Sequence, residues 1–376
     1  MSISVLSAEE LRRMVSIRDL TDPAQGPHAM QLLLAALTDA LLMSWGSELV
    51  LRRASPIVSV RDNYDRLRYP PAAVARDARY TRYVCDGAVL RTQTSAMLPP
   101  LLTELARARL DDVLLVCPGI VYRRDCIDRL HTGEPHQVDV WRLRRGQALG
   151  VAELLDMVEI VVDAVLPGVE HRTLPADHPY TLQGLQIEVK RGEGWVEIGE
   201  CGLANPALLA ECSHDPRVSS GLALGLGLDR LLMLRKGVPD IRLLRSADAR
   251  VSGQMLDLSP YRPVSRQPSL RRDLSLVVDR RLSTEEIGDL VRHALGARAS
   301  AIEAVTVLHD IEYEKLPAAV IARLGIGPGQ RNLLLRIVCC DLERTLTSDE
   351  ANQLRDCVYA ALHRGTRSEW ARAPVQ

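Results

Sequence analysis

Phenylalanine is absent from the sequence: none of the 376 residues is Phe, and aromatic residues together make up only 3% of the chain. The hydrophobic core must therefore depend on Leu, Val, Ile and Ala. The demands of folding do not explain the absence, because Leu and Tyr replace Phe only in part. A constraint on how the chain is synthesised is the better explanation.

Other absences restrict the class of protein. None of the eight cysteines forms a C-x-x-C pair or a zinc-ligand spacing, which predicts reduced and mostly buried thiols. No apolar run is long enough to span a bilayer, and the polar start MSISVLSAEELRRM is not typical of a signal peptide. Because the formal net charge is −1, any contact with nucleic acid requires a local basic patch. These features predict a cytoplasmic protein with no membrane segment.

The hydrophobic pattern predicts an α+β fold. Apolar spacing predicts helices over 8–20, 27–45 and 151–166, and alternation predicts a hairpin over 113–145 and two strands over 184–202. Antiparallel strands with intervening helices are typical of a sheet flanked by helices. The predicted divisions are a first domain over 1–250, a linker over 251–258, a second domain over 259–365 and a loose tail over 366–376.

The second domain has a pattern of its own. Strands are predicted over 271–279, AIEAVTVLHDIEY and RNLLLRIVCC, with helices over 283–295 and TSDEANQLRDCVYAALHRG. Ser283 and Glu286 have the spacing of a capping box at the start of the first of these helices. The order β-α-β-β-α predicts a small ferredoxin-like α+β sandwich.

Two stretches carry residues suited to binding anions. In PGIVYRRDCIDRLHTGEPHQVDVW (118–141), a strand ends in arginines, and the loop after it carries histidines. Basic loop residues beside polar acceptors make a natural anion site, although a solvated hairpin tip has the same composition. In GLALGLGLDRLLMLRKGVPDIRLL (221–244), glycines precede a helix. This stretch fits a phosphate loop or a closely packed strand with Asp229 and Arg230 at the helix start.

Taken together and in this order, the two stretches resemble motifs 2 and 3 of a class II aminoacyl-tRNA synthetase, and more closely those of the phenylalanyl-tRNA synthetase family. GIVYRRDCIDRLHTGEPHQ resembles R-V-Y-R-x-D-x-x-D-x-T-H-x-x-x-F-H-Q, and LRTQTSAM, HPYTLQG and EIGECGLANPALL resemble further motifs of that family. The resemblance implies a class II antiparallel sheet flanked by helices and a ferredoxin-like anticodon-binding domain. It also implies the single-chain, organelle-type layout.

The resemblance implies that ATP and Mg²⁺ are used to activate an amino acid. Arg123 would clamp the α-phosphate and the substrate carboxylate, and Arg230 would lie over the adenine and contact the γ-phosphate. His131 would contact the triphosphate, and Pro135 stands where the family has an adenine-stacking aromatic. The candidate Mg²⁺ ligands are Glu188, Glu197 and Glu200.

The same resemblance assigns an amino-acid pocket. Its residues are Gln93, Ser95, Gln137, Asp139, His178, Tyr180 and Ala223. Several departures fall here, since Gln93 replaces a His, Asp139 replaces a Glu, and His178 and Tyr180 replace two Phe residues. Leu222, Leu224 and Pro135 are the other positions where the family tends to use Phe. Two explanations of these changes remain open. One is lineage drift combined with avoidance of Phe, and the other is that the substrate is a different amino acid.

The resemblance implies that the protein binds tRNA, with the Phe tRNA as the expected acceptor. The expected oligomeric state is a monomer or homodimer. A run of arginines near the second domain is the candidate phosphate-binding patch, with ordinary surface charge as the alternative. Its members are Arg262, Arg266, Arg271, Arg272 and Arg280.

Three explanations for the lack of Phe remain open: a backup enzyme made when Phe-tRNA is scarce, an enzyme that charges the Phe tRNA with another amino acid, and a recoded sequence. Two rival functions also remain. One is an aminoacyl-adenylate or aminoacyl-tRNA supplier to a biosynthetic pathway. The other is an inactive, synthetase-derived RNA-binding or regulatory protein. The retention of Arg123, His131, Gln137 and Arg230 argues against it, because such a protein has no need for phosphate-binding arginines.

Overall fold

The computed structural model describes residues 5–108, 110–264 and 267–368. Contacts divide these residues into two compact units. The first contains the described residues of 1–123, 134–239 and 253–261, and the second those of 124–133, 240–252 and 262–376. The two short segments 124–133 and 240–252 therefore pack with the C-terminal part of the chain, although the sequence-based division assigns them to the first domain.

The first unit is a mixed sheet flanked by helices, as the sequence pattern predicts. Its helices are α1 (Ala8–Val15), α2 (Ala29–Trp45), α3 (Leu98–Ala108), α4 (Val151–Val165), α5 (Pro206–Glu211) and α6 (Leu228–Lys236). Its strands are β1 (Glu48–Leu51), β2 (Ile57–Ser59), β3 (Tyr83–Cys85), β4 (Ala88–Leu90), β5 (Asp112–Ile120), β6 (His136–Arg145), β7 (His171–Pro175), β8 (Thr181–Arg191), β9 (Gly194–Ala204) and β10 (Ser219–Gly227).

Seven of these strands form the main sheet in the order β1-β5-β6-β10-β9-β8-β7, and β2, β4 and β3 form a small second sheet. Only the β1–β5 pair of the main sheet is parallel among the described residues. β5 and β6 are the predicted hairpin, joined by a long loop. The predicted α+β fold class is confirmed.

The central strand β10 has two different faces. Leu222, Leu224 and Leu226 are buried on one side of it, with exposed fractions of 0%, 1% and 2%. Because side chains alternate along a strand, the other side carries Gly221, Ala223, Gly225 and Gly227. Ala223 packs with Trp141 in the apolar cluster that α3 and α5 cover. The strand therefore offers almost no side-chain volume on that face.

A buried contact fixes the start of α6 against the start of β6. The Asp229 carboxylate accepts the His136 backbone N–H and lies 3.0 Å from His136 Nδ1. His136 Nε2 accepts the Leu20 N–H at 3.0 Å, so the ring proton is on Nδ1 and points at Asp229. Both side chains are buried, with 0% of His136 and 4% of Asp229 exposed. Asp229 therefore sets the position from which its neighbour Arg230 extends.

The second unit has the predicted β-α-β-β-α order, with two additional short helices. Its strands β11 (Leu270–Asp279), β12 (Ile302–Glu312) and β13 (Gln330–Cys339) form an antiparallel sheet with β13 in the centre. Its helices are α7 (Ala249–Ser252), α8 (Thr284–Leu295), α9 (Ala318–Leu324) and α10 (Ser348–Leu362). The predicted capping box of Ser283 and Glu286 is confirmed, and Thr347 and Glu350 form a second one at α10. Across the described ranges, no helix is long and apolar enough to cross a membrane.

Two glycines of the main sheet allow a matched test of this packing. A Cβ on Gly202 would lie 2.8 Å from Thr181 Cβ, whereas a Cβ on Gly225 would approach only the Glu200 carbonyl oxygen, at 4.0 Å. We expect Gly202→Ala to lower the free energy of unfolding by about 1–3 kcal/mol, the usual cost of overpacking. Gly225→Ala should change it by less than about 0.5 kcal/mol. Denaturant unfolding of both variants measures the difference, and equal losses would contradict the described packing.

Candidate active site

The candidate site lies on the small-residue face of β10. Strand register aligns Asp139 of β6, Gly225 of β10 and Glu200 of β9 in one row, with Gln186 of β8 beyond them. Directly opposed residues in an antiparallel pair point to the same face of the sheet. Asp139 and Glu200 are thus two strand spacings apart, about 10 Å, with only a glycine between them. The row forms a recess with an acid at each side.

A β-bulge shapes the Glu200 side of this recess. Ile187 pairs with Gly199 and Glu188 with Glu197, so Ile198 is an extra residue in β9. The extra residue turns Glu197 and Glu200, three positions apart, toward the same side. Partial burial, and then the negative charge of Glu200, raise the pKa of Glu197, although its side chain reaches the surface. The charges of Arg230 and Arg123 act in the opposite direction.

Asp139 is a buried carboxylate held by hydroxyl groups. Thr94 Oγ1 donates to it at 2.7 Å and Ser95 Oγ at 2.9 Å, and only 4% of the residue is exposed. Burial raises the pKa of Asp139, and the positive charge of Arg123 lowers it without reversing that effect. A negative charge in so dry a position favours a cationic ligand group.

Aromatic rings border the recess. The Tyr180 ring lies 6.3 Å from Trp141 in a stacked arrangement, 6.3 Å from Tyr69 and 5.8 Å from His178. Trp141 Nε1 approaches the Asp139 carboxylate closely enough to lower its pKa, yet it has no hydrogen-bond partner among the described residues. The recess therefore combines a carboxylate, which suits an ammonium group, with flat apolar walls, which suit an aromatic side chain.

Polar contacts hold these rings in place. Gln93 Oε1 accepts the Tyr69 hydroxyl at 3.1 Å, and Gln93 Nε2 donates to the Asn63 carbonyl at 3.1 Å. His178 Nε2 forms an ion pair with Glu200, and this contact raises the pKa of His178. The wall that His178 contributes is therefore polar and charged at its rim.

Two arginines reach the recess from different elements. Arg123 follows β5, and its Nε donates to the Thr92 carbonyl at 2.7 Å. Arg230, in the first turn of α6, donates to the Glu197 carbonyl at 2.7 Å. The charges of both act on the pKa of Glu197. Two guanidinium groups beside acidic residues are suited to binding a polyanion together with a metal ion.

Comparisons with known proteins identify the family. The profile described as tRNA synthetases class II core domain (F) matches residues 23–255. The phenylalanine--tRNA ligase alpha subunit of Mycolicibacterium vanbaalenii is 32% identical over 258 residues, 66% of this chain and 71% of that protein. This chain is a member of the phenylalanyl-tRNA synthetase family. The resemblance in its sequence motifs and the class II fold are thereby confirmed.

Other relatives agree in family but overlap less. The alpha subunits of Prochlorococcus marinus and Clostridium perfringens are 35% and 32% identical over 50% and 51% of this chain, and it spans 54% and 59% of their length. The chain thus spans little more than half the length of these curated relatives. Desulfitobacterium hafniense PylSc, a pyrrolysyl tRNA synthetase, aligns with 63% of this chain and 77% of that chain, at a TM-score of 0.45 and 19% identity. At that score the likeness adds nothing to the assignment. Because the relatives are named as subunits, the single-chain layout stays a prediction.

The structure brings most of the residues that the family resemblance assigned onto one face of the first unit. Gln137, Asp139 and Trp141 alternate along β6, and Ala223 pairs with Trp141 on one side and Gly202 on the other. Pro135 directly precedes β6, where its carbonyl accepts the Val121 N–H at 2.8 Å. These placements agree with the predicted pocket, and the roles of the residues stay predictions.

His131 belongs to the second unit. Its Nδ1 lies 2.7 Å from Asp128 Oδ2, and hydrogen bonds to Asp128 and Cys126 raise the pKa of His131 to about 10. The imidazole is therefore protonated at neutral pH, which suits the phosphate contact that the family resemblance assigned to it.

The arginines predicted to bind tRNA differ in their surroundings. Arg271 and Arg262 are exposed, and Arg266 lies outside the described residues. Arg272 Nε donates to Asn352 Oδ1 at 2.8 Å, and its NH2 donates to Ser348 Oγ at 2.8 Å. Arg280 forms an ion pair of 3.0 Å with Glu312. Arg272 and Arg280 therefore already have partners within the second unit, whereas Arg271 remains an exposed candidate for contact with phosphate.

Three residues of the site were not found from the sequence. Tyr69 lies between the quoted motifs, and no spacing marks it. Trp141 stands two positions after Asp139 on a predicted strand, so alternation could have placed it on the same face. Thr94 lies inside the motif LRTQTSAM, beside the predicted Ser95.

The buried charge of Asp139 makes a pH-dependent prediction. Because its pKa is raised in the folded state, stability falls as pH rises from the ordinary value of 3.8 to the raised value, and stays lower above it. Asp139→Asn should therefore raise the unfolding midpoint at pH 7 and lose this advantage below pH 3.8. Asp215→Asn is the control, because the Arg217 side chain lowers the pKa of that exposed carboxyl. Thermal unfolding across pH measures both, and a stability loss for Asp139→Asn at pH 7 would refute the assignment.

Proposed function

We propose that the chain activates an aromatic amino acid, most simply phenylalanine, as an aminoacyl-adenylate and transfers it to tRNA. The observation that carries the proposal is the buried Asp139, held by hydroxyl groups at the head of a recess with aromatic walls. Such a site binds an ammonium group and an apolar ring at the same time. Membership of the phenylalanyl-tRNA synthetase family supports the same reaction.

The amino acid enters with its ammonium group at Asp139 and its ring toward Trp141 and Tyr180. Thr94 and Ser95 orient the Asp139 carboxylate by donating to it. The small residues Ala223 and Gly225 form the floor, since a larger side chain on that face of β10 would occupy the same space. The hydroxyl-bonded carboxylate thus selects the amino group, and the rings select the side chain.

In the activation step, the amino-acid carboxylate attacks the α-phosphorus of ATP, and pyrophosphate leaves. The protein contributes orientation and positive charge rather than a nucleophile of its own. Arg123 takes the carboxylate and α-phosphate, and Arg230 takes the adenine face and γ-phosphate, because a planar guanidinium can stack and also donate to phosphate. His131 and Pro135 complete the nucleotide contacts that the family resemblance assigns.

The acidic residues fit a Mg²⁺ ion unequally. Partial burial, and then the negative charge of Glu200, raise the pKa of Glu197, and a divalent cation between the two carboxylates would relieve their repulsion. Both oxygens of Glu188 are engaged, with Arg172 NH2 at 2.6 Å from one and Gln186 Nε2 at 3.0 Å from the other. Glu197 is therefore the preferred ligand, and Glu200 can join it by sharing its carboxylate between the ion and His178. The ion supplies charge neutralisation for the phosphates.

A second candidate is an aromatic amino acid with a polar substituent. It is favoured by one observation: the wall residue His178, in place of an apolar ring, is ion-paired with Glu200. A polar group on the substrate would find a hydrogen-bonding partner there. For either amino acid, the proposal includes tRNA binding by exposed arginines of the second unit and a cytoplasmic location.

ATP–pyrophosphate exchange over a panel of amino acids tests the activity. We expect exchange with phenylalanine. Exchange with hydroxylated or amino-substituted phenylalanines alone would replace the first candidate with the second. If no amino acid supports exchange, both fail and an inactive synthetase-derived protein becomes the better explanation. Charging of a Phe tRNA transcript then tests the transfer step.

Arg230 and Gly225 give the sharpest variants. Removing one donor to a developing phosphate charge typically costs a factor of about 100–1,000, so Arg230→Ala should lower exchange by that amount. Arg235→Ala, on the same helix, is the matched control and should retain activity. Gly225→Ala adds one methyl group to the floor and should reduce kcat/KM for the amino acid roughly 10–200-fold. Unchanged exchange in Arg230→Ala would remove Arg230 from the nucleotide site.

A further inference from the structure

The loop between β5 and β6 gathers four potential metal-ligating side chains in seven residues. One ligand atom from each of Asp125, Cys126 and His131 lies within 4.8 Å of the other two. The Asp128 side chain adjoins this group, with its Oδ2 2.7 Å from His131 Nδ1 and 3.6 Å from Cys126 Sγ. The spacing D-C-x-D-x-x-H contains a single cysteine and is not a recognised zinc pattern, so the cluster is visible only in the structure.

The backbone that carries these side chains is fixed within the second unit. Arg292 of α8 donates to the carbonyls of Asp125 and Cys126 at 2.7 and 2.6 Å. Ile127 is buried in the apolar core of this unit, and its carbonyl accepts the Val305 N–H at 3.0 Å. A loop held on both sides of Cys126 presents its ligand atoms without a large ordering cost.

Asp128 orients the cluster in the manner of a carboxylate beside a metal-bound histidine. Its Oδ1 accepts the backbone N–H groups of Leu130 and His131 at 2.6 and 2.9 Å, which leaves Oδ2 directed at the imidazole. Carboxylates in this position fix the ring orientation and tautomer of histidine ligands. The thiol and the imidazole are therefore already directed toward each other.

The charge of the cluster favours a divalent cation. Two carboxylates, those of Asp125 and Asp128, lie beside the Cys126 thiol and the His131 imidazole, so these groups surround a position where a cation is stabilised. The neighbouring cations are largely committed elsewhere: Arg124 pairs with Asp289 at 3.5 Å, and Arg129 pairs with Glu303 at 2.8 Å. Arg292 is the basic group that faces the carbonyls of the loop.

We propose that Asp125, Cys126 and His131 form a binding site for a zinc-type transition-metal ion, with Asp128 as the orienting carboxylate. One thiolate, one imidazole and one carboxylate form the mixed ligand set that Zn²⁺ and Co²⁺ bind with tetrahedral geometry, leaving the fourth position for water. The ion displaces the thiol proton and the imidazole proton.

Titration of the full-length, metal-stripped protein with Co²⁺ tests the site without any reference to catalysis. We expect about one Co²⁺ per chain, with the sulfur-to-cobalt charge-transfer band and the intense visible bands of tetrahedral cobalt. Zn²⁺ should displace the Co²⁺ and abolish the spectrum. Absence of the charge-transfer band at one equivalent would overturn the proposal, whatever the amino-acid exchange assay gives.

Three variants assign the band. Cys126→Ser should abolish it, and Cys85→Ser, which changes an exposed thiol, should preserve it. Asp128→Asn should keep the band but weaken Co²⁺ binding roughly 10–100-fold, the usual effect of losing an orienting carboxylate. Thermal unfolding without metal confirms that each variant is folded. A band that survives Cys126→Ser, or that disappears with Cys85→Ser, would place the metal elsewhere and refute the site.

Discussion

The candidate site depends on one constraint, the lack of side-chain volume along one face of β10. The central strand of the main sheet carries only glycine and alanine there, from Gly221 to Gly227, and three buried leucines on the other face. The leucines anchor the strand in the core, so its position does not depend on the open face. The open face leaves room for a ligand at the middle of the sheet, where neighbouring strands can surround it. A strand of ordinary alternating side chains would close the recess.

The recess has an energetic cost that its ligand relieves. Burial raises the pKa of Asp139, and partial burial together with the charge of Glu200 raises the pKa of Glu197, so negative charge at both residues is unfavourable without substrate. An ammonium group at one acid and a divalent cation at the other two would remove both costs. The positive charge of Arg123 lowers the pKa of both Asp139 and Glu197, so this residue partly offsets both costs. Substrate and metal binding are therefore expected to stabilise the first unit.

Local sequence patterns were sufficient for the long helices and strands, because periodicity and capping are short-range properties. The predicted hairpin of β5 and β6 and the capping box at Ser283 were found in this way. Local patterns did not predict the short elements β3, β4 and α9. What the sequence could not provide was the register across strands that are distant in the chain. Asp139 and Glu200 share a row only because β10 lies between β6 and β9, and the bulge at Ile198 reverses the facing of Glu197. The placement of 124–133 with the second unit likewise depends on tertiary contacts.

The positions where the family tends to use Phe do not share one environment. Leu222 and Leu224 are buried core residues on the face of β10 that points away from Ala223, so they have no contact with the proposed pocket floor. His178 and Tyr180 border the recess itself. A change of substrate would explain replacements at the second pair but gives no reason to change the first. Because both kinds of position lack Phe, avoidance during synthesis accounts for more of the substitutions than selection for a new amino acid. The ion pair of His178 with Glu200 is the feature that avoidance alone does not require.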